Sequence, residues 1–347
     1  MLAVRLPAWR SPAVLTEVAS PEPGPGEVLL DVEAAGLCHT DLHLMEWDAG
    51  VLPYDPPFTL GHEVAGVVRR LGPGASGVSE GDRVVVFARW GCGVCWQCLQ
   101  GRENICERPG AEVRYHGAGL GRDGGLAEQL IVPAVRYLVP IGDLDAALAA
   151  PLADAGITPY HAISHHRDKL RPGSVAVVIG IGGLGHMAVQ MLRALSSARI
   201  VALDLRDDAL TAAREAGADA AIQAAGLSAE SLREEVGGSG AMLVLDFVGA
   251  DQTLALANGA VGMGGGIVYG GRGGGTLPVR AFSTPSDTSV TVSTWGTIPE
   301  LHEVVALARA GAIRTETRLY PLDGALDAYQ DLAEGRILGR AVVSPAG

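Results

Sequence analysis

Basic residues, cysteines and long apolar runs are all scarce in this 347-residue sequence. Lys and Arg together number 26 against 39 Asp and Glu, which gives a formal net charge of −13. Binding to nucleic acid needs clustered cations against the phosphates, so this charge argues against a nucleic-acid partner. The apolar runs have about the length of a strand, and none approaches the roughly 18 apolar residues of a membrane-spanning helix. We therefore expect neither a nucleic-acid-binding protein nor a membrane protein.

A secretion signal and an even set of cysteines are also lacking. Residues 1–6 show no basic segment followed by an apolar run, so residence in the cytoplasm is the default expectation. An odd number of cysteines without such a signal makes a disulfide framework unfavourable and leaves metal binding as the alternative. With 48% hydrophobic residues, the chain is long enough for two globular domains.

Residues 1 to about 90 are predicted to be rich in β-structure. Short Val-rich segments lie at 27–35, 64–71 and 82–87, and clusters of Pro and Gly separate them. No helical period lies between the segments. The pattern indicates an antiparallel barrel or sandwich.

The most specific local pattern is a set of four cysteines in residues 91–107: Cys92, Cys95, Cys98 and Cys106. Four thiolates with no open coordination position predict a structural zinc site, which holds a loop with little apolar content of its own. The alternative, a cluster of buried free thiols, would leave four reactive groups crowded together without a purpose. The spacing therefore favours zinc.

From about residue 155 the pattern changes to alternating strands and helices. An apolar run at 174–180 is typical of a strand buried on both faces of a parallel sheet. It leads into a glycine motif and a helical pattern, and a second strand at 199–204 ends in Asp204. This order predicts a dinucleotide site, with backbone amides at the pyrophosphate and the acid at the adenosine ribose. The predicted loop residues are Gly180, Gly182, Gly183, Leu184 and Gly185.

The acid at the end of the second strand also predicts NAD rather than NADP. A 2′-phosphate placed beside Asp204 would meet a like charge, which lowers affinity. Arg206 could in principle shelter a phosphate, but Asp204, Asp207 and Asp208 surround it.

A second group of candidate metal ligands begins at residue 38. Six consecutive residues supply one thiol, two imidazoles, a hydroxyl and a carboxylate, carried by Cys38, His39, Thr40, Asp41 and His43. His62 lies 24 positions after Cys38. Thiolates and imidazoles are zinc ligands, and a catalytic zinc takes three protein ligands and leaves a fourth position open. The hydroxyl of Thr40 and the imidazole of His43 could carry a proton away from such a metal.

Cys38 with Gly61-His62-Glu63, the four-cysteine loop and the glycine motif occur in this order and at these spacings. In this the chain resembles the zinc-containing medium-chain alcohol dehydrogenases over essentially its whole length. It is similar above all to bacterial secondary-alcohol dehydrogenases, which residues 151–162 also match. The resemblance implies an α/β fold, with a doubly wound Rossmann sheet and a mainly antiparallel catalytic domain of the GroES-like type. The implied domains are a catalytic domain of residues 1–154 and 296–347 and an NAD-binding domain of residues 155–295.

The resemblance implies two zinc ions per subunit, one catalytic and one structural, together with NAD(H). Two cysteines and one histidine are the catalytic ligands already established for this family, so the type of site comes from the resemblance. In the secondary-alcohol relatives an aspartate holds the position of the second cysteine, and here that residue is Asp154. The cysteine tally agrees, because four thiols go to the structural site and only Cys38 remains. Cys38, His62 and Asp154 are therefore the implied ligands, with a helix cap as the alternative role of Asp154.

Other roles follow from position in the resemblance. Thr40 takes the alcohol proton and His43 ends the proton relay at the solvent, although His43 could equally be an ordinary surface histidine. Asp41 orients His62, and Glu63 lies close to the metal. Besides the glycine loop, the implied cofactor contacts are His39, Thr158, Asp204, Arg206, Val248 and Arg340.

The implied walls of the substrate pocket are Tyr54, Leu120, Phe282 and Trp295. Aromatic walls favour apolar, bulky carbonyl compounds over polyols, so we expect secondary alcohols and ketones, including aryl ketones. Primary alcohols with aldehydes, or polyols, are the alternatives. A metal-stabilised binding protein and a zinc-free quinone reductase of the same fold are disfavoured, because the metal ligands and the cofactor acid are present. Family analogy implies a homotetramer. Two further imidazoles, His165 and His166, are expected at a solvated helix end.

Overall fold

The computed structural model describes residues 1–107 and 116–345. The chain folds into two compact units. The first unit comprises residues 1–157, 296–311 and 315–347, and the second unit comprises residues 158–295 and 312–314. Among the described residues, no helix is both long and apolar enough to cross a membrane.

The strands and helices of the described residues are numbered in chain order. The strands are β1 (Leu2–Leu6), β2 (Val14–Glu17), β3 (Val28–Gly36), β4 (Phe58–Thr59), β5 (Glu63–Leu71), β6 (Arg83–Val86), β7 (Gly117–Ala118), β8 (Gly121–Arg122), β9 (Gln129–Val132), β10 (Leu138–Pro140), β11 (Val175–Ile179), β12 (Arg199–Asp204), β13 (Ala220–Gln223), β14 (Ala241–Asp246), β15 (Val261–Tyr269), β16 (Ser289–Val292), β17 (Thr317–Pro321) and β18 (Arg340–Ser344). The helices are α1 (His39–Glu46), α2 (Trp96–Leu99), α3 (Ala146–Ala149), α4 (Ile157–Ser164), α5 (Gly185–Leu195), α6 (Asp207–Glu215), α7 (Ala229–Val236), α8 (Asp251–Ala260), α9 (Ile298–Arg309) and α10 (Ala325–Ala333).

The first unit is built on a sheet with the strand order β10-β6-β5-β3-β18-β17, and β9 also pairs with β3. The neighbours are antiparallel except for β17 and β18, which run parallel. The predicted Val-rich segments form β3, β5 and β6, whose branched side chains suit a pleated and buried surface. The expected mainly antiparallel domain is confirmed.

The register of β3 and β5 sets Gly36 opposite Glu63. A Cβ atom on Gly36 would lie 1.9 Å from the Glu63 side chain, so glycine permits a buried carboxylate to approach the neighbouring strand. The residues that follow β3 and those that precede β5 are thereby brought side by side. Cys38 and His62 occupy these two places.

The second unit contains a parallel six-stranded sheet with the order β13-β12-β11-β14-β15-β16. The chain moves outwards from β11 in one direction and then returns to continue from β14 in the other, which is the doubly wound arrangement. Buried residues such as Val177, Val201, Val244 and Ile267 form its core. The expected Rossmann sheet is confirmed, and ligands of such sheets bind where the strand order reverses, beyond the carboxyl ends of β11 and β14.

One expectation about the second unit is wrong. His165 is exposed as predicted, but His166 is buried and only 5% of its surface remains accessible. Its ring lies against Gly266, where a Cβ atom would come within 2.6 Å of it. The helical spacing could not reveal that β15 packs over this position.

Candidate active site

Cys38, His62 and Asp154 lie together in the first unit although they are far apart in the chain. Cys38 follows β3, His62 precedes β5, and Asp154 comes after a short 3-10 turn. All three side chains are buried, and one ligand atom from each lies within 4.8 Å of the others. The next helix, α4, begins only at Ile157, three residues after Asp154. The three sequence-predicted ligands therefore converge on one small volume.

This donor set fits a zinc ion. Oδ2 of Asp154 lies 3.3 Å from Sγ of Cys38 and 3.7 Å from Nε2 of His62. Atoms bound to one tetrahedral zinc at about 2.0–2.3 Å lie roughly 3.3–3.8 Å from one another. Thiolate, imidazole and carboxylate are all zinc ligands, and three of them leave one position open. The geometry matches a catalytic rather than a closed structural site.

Asp41 connects two of these ligands. Its Oδ2 accepts a hydrogen bond of 3.1 Å from the backbone N–H of Cys38, as part of the cap that begins α1. Its Oδ1 lies 3.2 Å from Nδ1 of His62, and Asp41 is completely buried. Burial lowers the pKa of His62, but the charge of Asp41 and the contacts with Asp154 outweigh it and raise that pKa well above the usual value. Asp41 thus turns Nε2 of His62 towards the other ligands.

Arg340 lies behind the same ligands, at the start of β18. Its side chain is 3% exposed, and its guanidinium donates to both carboxylate oxygens of Glu63 and, over 2.9 Å, to Oδ2 of Asp154. Burial raises the pKa of Glu63 to about 7, although Arg340 pulls it down. No local pattern in the sequence points to this network, because Glu63 and Arg340 are 277 positions apart. The cofactor contact of Arg340 stays a prediction.

The residues of the predicted proton path sit on α1. Oγ1 of Thr40 lies 3.6 Å from Sγ of Cys38, and the side chain is half-buried. The half-buried His43 ring stacks on Trp47, with ring centroids 5.9 Å apart. His39, the first residue of α1, is exposed. Thr40 is thus beside the ligand set, and His43 lies nearly one turn further along the helix.

The four remaining cysteines form a separate cluster, and their sulfur atoms all lie within 4.8 Å of one another. The pairs Cys92–Cys98 and Cys95–Cys106 have Sγ–Sγ distances of 3.9 and 3.8 Å, so no disulfide joins them. Two sulfur atoms on one tetrahedral zinc lie about 3.8 Å apart. Backbone N–H donors at Cys98 and Glu107 lower the pKa of Cys95 to about 6, which favours the thiolate. The cluster fits a closed zinc site.

The glycine loop follows β11 and leads into α5 in the second unit. Gly180 has φ +85°, in the left-handed region that favours glycine, and a Cβ atom there would lie 2.6 Å from the Val248 side chain. A Cβ atom on Gly185 would lie 1.9 Å from the Gly180 carbonyl oxygen. Gly182 faces open space instead. The loop therefore packs tightly at both ends and stays open in the middle, where backbone amides can approach a pyrophosphate.

Asp204 and Arg206 are placed at the rim of this loop. Oδ2 of Asp204 accepts from the backbone N–H of Ile181 over 2.7 Å, and Oδ1 accepts from the backbone N–H of Arg206 over 2.9 Å. The guanidinium of Arg206 pairs with Asp208 at 2.6 Å. The side chain of Arg206 is thus held by an acid.

The remaining predicted residues differ in exposure. Thr158 is buried, whereas Val248 is 39% exposed beyond β14. Tyr54 and Leu120 are buried in the first unit, and Trp295 is buried in the second. The Tyr54 ring packs with aromatic neighbours at centroid distances of 5.1–6.2 Å: Trp9, Phe58 and His116.

The expectation for Phe282 is wrong for the single chain. Its side chain is fully exposed, at 107% of the reference area, and its φ is +68°. It lies in the segment between β15 and β16, where the backbone turns the ring away from the protein. A ring in full solvent contact cannot form a wall of a pocket in its own chain.

Two family models match the chain. A model described as the alcohol dehydrogenase GroES-like domain matches residues 24–143, and one described as the zinc-binding dehydrogenase matches residues 183–310. An NAD-dependent alcohol dehydrogenase of Sulfurisphaera tokodaii is 35% identical and covers 99% of this chain and 100% of its own.

Solved structures agree with these matches. The alcohol dehydrogenase of the hyperthermophilic archaeon Aeropyrum pernix has a TM-score of 0.90 at 33% identity, and the match covers 99% of this chain and 100% of that one. An acetophenone reductase from Geotrichum candidum, solved with NAD, has a TM-score of 0.84 at 30% identity and covers 99% of this chain and 96% of its own.

Proposed function

The chain belongs to the zinc-dependent alcohol dehydrogenase family, and on this premise we propose that it interconverts secondary alcohols and ketones with NAD(H) at a zinc held by Cys38, His62 and Asp154. The first unit is then the catalytic domain and the second unit the NAD-binding domain. The observation that carries the proposal is the convergence of three buried donor atoms within 4.8 Å. The four-cysteine cluster takes the second, structural zinc.

Zinc bound there would act as a Lewis acid that makes the alcohol hydroxyl more acidic, and NAD would accept the hydride. The protein residues supply the rest. Thr40 accepts the proton of the alcohol, and its 3.6 Å distance from Cys38 supports this position beside the metal. His43 then passes the proton towards the solvent. An unchanged pH profile of turnover in His43→Gln would remove His43 from this path.

NAD is the proposed cofactor in preference to NADP. Asp204 already accepts two backbone hydrogen bonds, and the guanidinium of Arg206 is paired with Asp208, so a 2′-phosphate would meet carboxylates at this place. Repulsion between the 2′-phosphate and these carboxylates would lower the affinity for NADP. We expect Asp204→Ala to lower the ratio of kcat/KM with NAD to kcat/KM with NADP. The control is Asp219→Ala, which removes an acid next to the adjacent strand β13.

Aryl and other bulky ketones are the proposed substrates. The aromatic cluster around Tyr54 supports an apolar pocket wall, and the acetophenone reductase among the relatives acts on an aryl ketone by its description. Primary alcohols with aldehydes, and polyols, are the alternatives. A substrate panel that follows NADH absorbance separates them: greater kcat/KM for a polyol than for acetophenone would contradict the proposal.

The ligand set is tested by zinc content and activity together. Asp154→Asn keeps the size of the side chain and removes its charge, so it should lose catalytic zinc and most activity while the four-cysteine site stays loaded. Full activity with two zinc ions per chain would remove Asp154 from the ligand set.

We also propose a homotetramer that works in the cytoplasm. The cysteines of the four-cysteine cluster form no disulfide, which suits a reducing compartment. Strand β16 lies at the edge of its sheet with Val292 74% exposed, and a second copy of the chain could cover such an edge. The native mass in solution tests the assembly, and a monomeric mass would contradict it.

A further inference from the structure

Asp246 is the last residue of β14, one of the two strands between which the order of the parallel sheet reverses. Its side chain is completely buried. Its Oδ1 accepts two hydrogen bonds of 2.9 Å, from the backbone N–H groups of Val248 and Gly249. The chain therefore folds back onto this carboxylate as soon as the strand ends. Residues 247–249 are called the β14 turn below.

The main chain of Asp246 holds the segment that follows the neighbouring strand β15. Its carbonyl oxygen accepts from the backbone N–H groups of Gly270 and Gly271, over 2.9 and 3.1 Å. Gly273 donates to the carbonyl oxygen of Val248 over 2.9 Å. A Cβ atom on Gly271 would lie 2.2 Å from the carbonyl carbon of Val248, so the two segments pack backbone against backbone. Asp246 thus holds the segments that leave two adjacent strands, one through its side chain and the other through its carbonyl group.

The β14 turn borders the crevice in which this sheet should bind its cofactor. A doubly wound sheet binds a dinucleotide across the point where the strand order reverses, with one nucleotide on each half of the sheet. The proposed contacts of the adenosine half, the glycine loop and Asp204, lie on the side of β11 and β12, which leaves the β14 side for the nicotinamide half. The Val248 side chain reaches the glycine loop, because a Cβ atom on Gly180 would lie 2.6 Å from it, and it is 39% exposed.

The conformation of the β14 turn depends on its acceptor. Gly249 is buried, its φ is +72°, and a Cβ atom there would lie 2.2 Å from the Tyr269 ring, so the turn fits closely against β15. Without the carboxylate, the N–H groups of Val248 and Gly249 would lose their acceptor, and a buried polar group without a partner is costly. The turn would then move towards another acceptor or towards water. The position of Val248 at the crevice therefore depends on Asp246.

We propose that Asp246 is a positioning residue for the nicotinamide half of the cofactor: its carboxylate fixes the β14 turn and thereby the wall that Val248 presents to the bound dinucleotide. This inference rests on the NAD site proposed for the second unit. It predicts that Asp246 matters for the affinity of NADH and not for that of ADP-ribose, which keeps the adenosine and the pyrophosphate but lacks the nicotinamide ring.

The test measures how tightly the full-length protein binds each ligand, by fluorescence titration for NADH and by calorimetry for ADP-ribose. Asp246→Ala removes the acceptor of the turn, whereas Asp246→Asn keeps an oxygen acceptor in its place. Asp219→Asn is the control in the same sheet. Asp219 also accepts a backbone hydrogen bond, from Ile200 over 2.7 Å, but it lies at the amino ends of the strands, away from the crevice.

We expect Asp246→Ala to raise the dissociation constant of NADH about tenfold, as the loss of buried hydrogen bonds would, and to leave that of ADP-ribose unchanged. Asp246→Asn and Asp219→Asn should bind both ligands nearly as tightly as the wild type. Wild-type affinity for NADH in Asp246→Ala would overturn the inference. Equal weakening of both ligands, or loss of the fold by circular dichroism, would also overturn it, because Asp246 would then serve the whole unit. If the wild type binds neither ligand, the proposed NAD site itself fails.

Discussion

The two metal sites of the first unit are built in opposite ways. The catalytic site draws Cys38, His62 and Asp154 from three segments, buries them and places charged groups behind them. The four-cysteine site lies within fifteen consecutive positions, and three of its four residues are partly exposed. Its sulfurs accept hydrogen bonds mainly from nearby backbone amides.

The difference follows from what each metal has to do. A structural zinc needs only to close a loop, so a local set of four thiolates is sufficient and can remain near the solvent. A catalytic zinc must keep one position open in a dry site, so its three ligands need rigid support from the surrounding fold. Zinc binding at the catalytic site should therefore respond to substitutions far from its ligands in the sequence. Zinc binding at the structural site should respond mainly to substitutions within its own loop.

The largest expected effect is on turnover. His62→Ala removes one of three ligands, and we expect kcat/KM to fall by about 10³-fold or more, equivalent to roughly 4 kcal/mol in the barrier. The four-cysteine site should keep its zinc, because that loop is untouched. Kinetics and zinc analysis on the same preparation check both parts. Wild-type turnover in this variant would show that His62 is not a ligand of a catalytic zinc, and would contradict the comparison between the two sites.

Arg340→Met should destabilise the fold strongly. The substitution leaves Glu63 and Asp154 buried without their cation, which costs about 3–5 kcal/mol when one partner of a buried ion pair is lost. Arg336→Met is the matched control, because Arg336 pairs with Asp331 at the surface and should cost at most about 1 kcal/mol. Denaturant unfolding measures both. Equal effects of the two substitutions would show that burial of the network does not matter.

Cys98→Ser should have the reverse signature of His62→Ala. Loss of one thiolate opens the closed site, so we expect the loop zinc to be lost and stability to fall by about 3 kcal/mol, a large effect of the kind seen when a metal site is lost. The catalytic zinc should remain. Zinc content and thermal unfolding provide the measurement. Loss of the catalytic zinc with unchanged stability would contradict the division of roles.

The smallest expected effect is on stability in acid, and it arises from His166, which lies outside both metal sites. Burial, with the charges of Lys169 and His165, lowers the pKa of His166 to about 4, whereas an unfolded histidine titrates near about 6.5. Between these values the unfolded chain binds more protons, so the free energy of unfolding should decrease as the pH falls from about 6.5 to about 4, by at most about 3 kcal/mol.

His166→Phe should flatten this part of the pH dependence of stability, and His165→Phe, at the exposed neighbour, should not. Urea unfolding at several pH values distinguishes them. Equal loss of stability in the wild type and in His166→Phe over this pH range would contradict the role of His166.

The parts that the sequence predicted correctly have local signals. Strands such as β11 and β12 are recognisable as runs of apolar residues. The four-cysteine loop and the glycine motif each lie within a short segment of the sequence. Cys38 and His62 stood out as residue types, although their proximity depends on the pairing of β3 with β5. Asp154 needed the family resemblance, because nothing in its neighbourhood marks it as a ligand.

The parts that the sequence did not predict depend on long-range packing. Arg340 meets Glu63 because β18 pairs with β3. The exposure of Phe282 depends on the turn between β15 and β16, not on its apolar character. Residue type and spacing carry no information about such contacts between distant segments.

Anomalous diffraction at the zinc absorption edge, on crystals of the full-length protein, tests the catalytic site most directly. We predict two peaks per chain, one within the four-cysteine cluster and one at about 2.0–2.3 Å from Sγ of Cys38, Nε2 of His62 and a carboxylate oxygen of Asp154. A single peak at the four cysteines, from crystals grown with zinc in excess, would contradict the proposed catalytic centre.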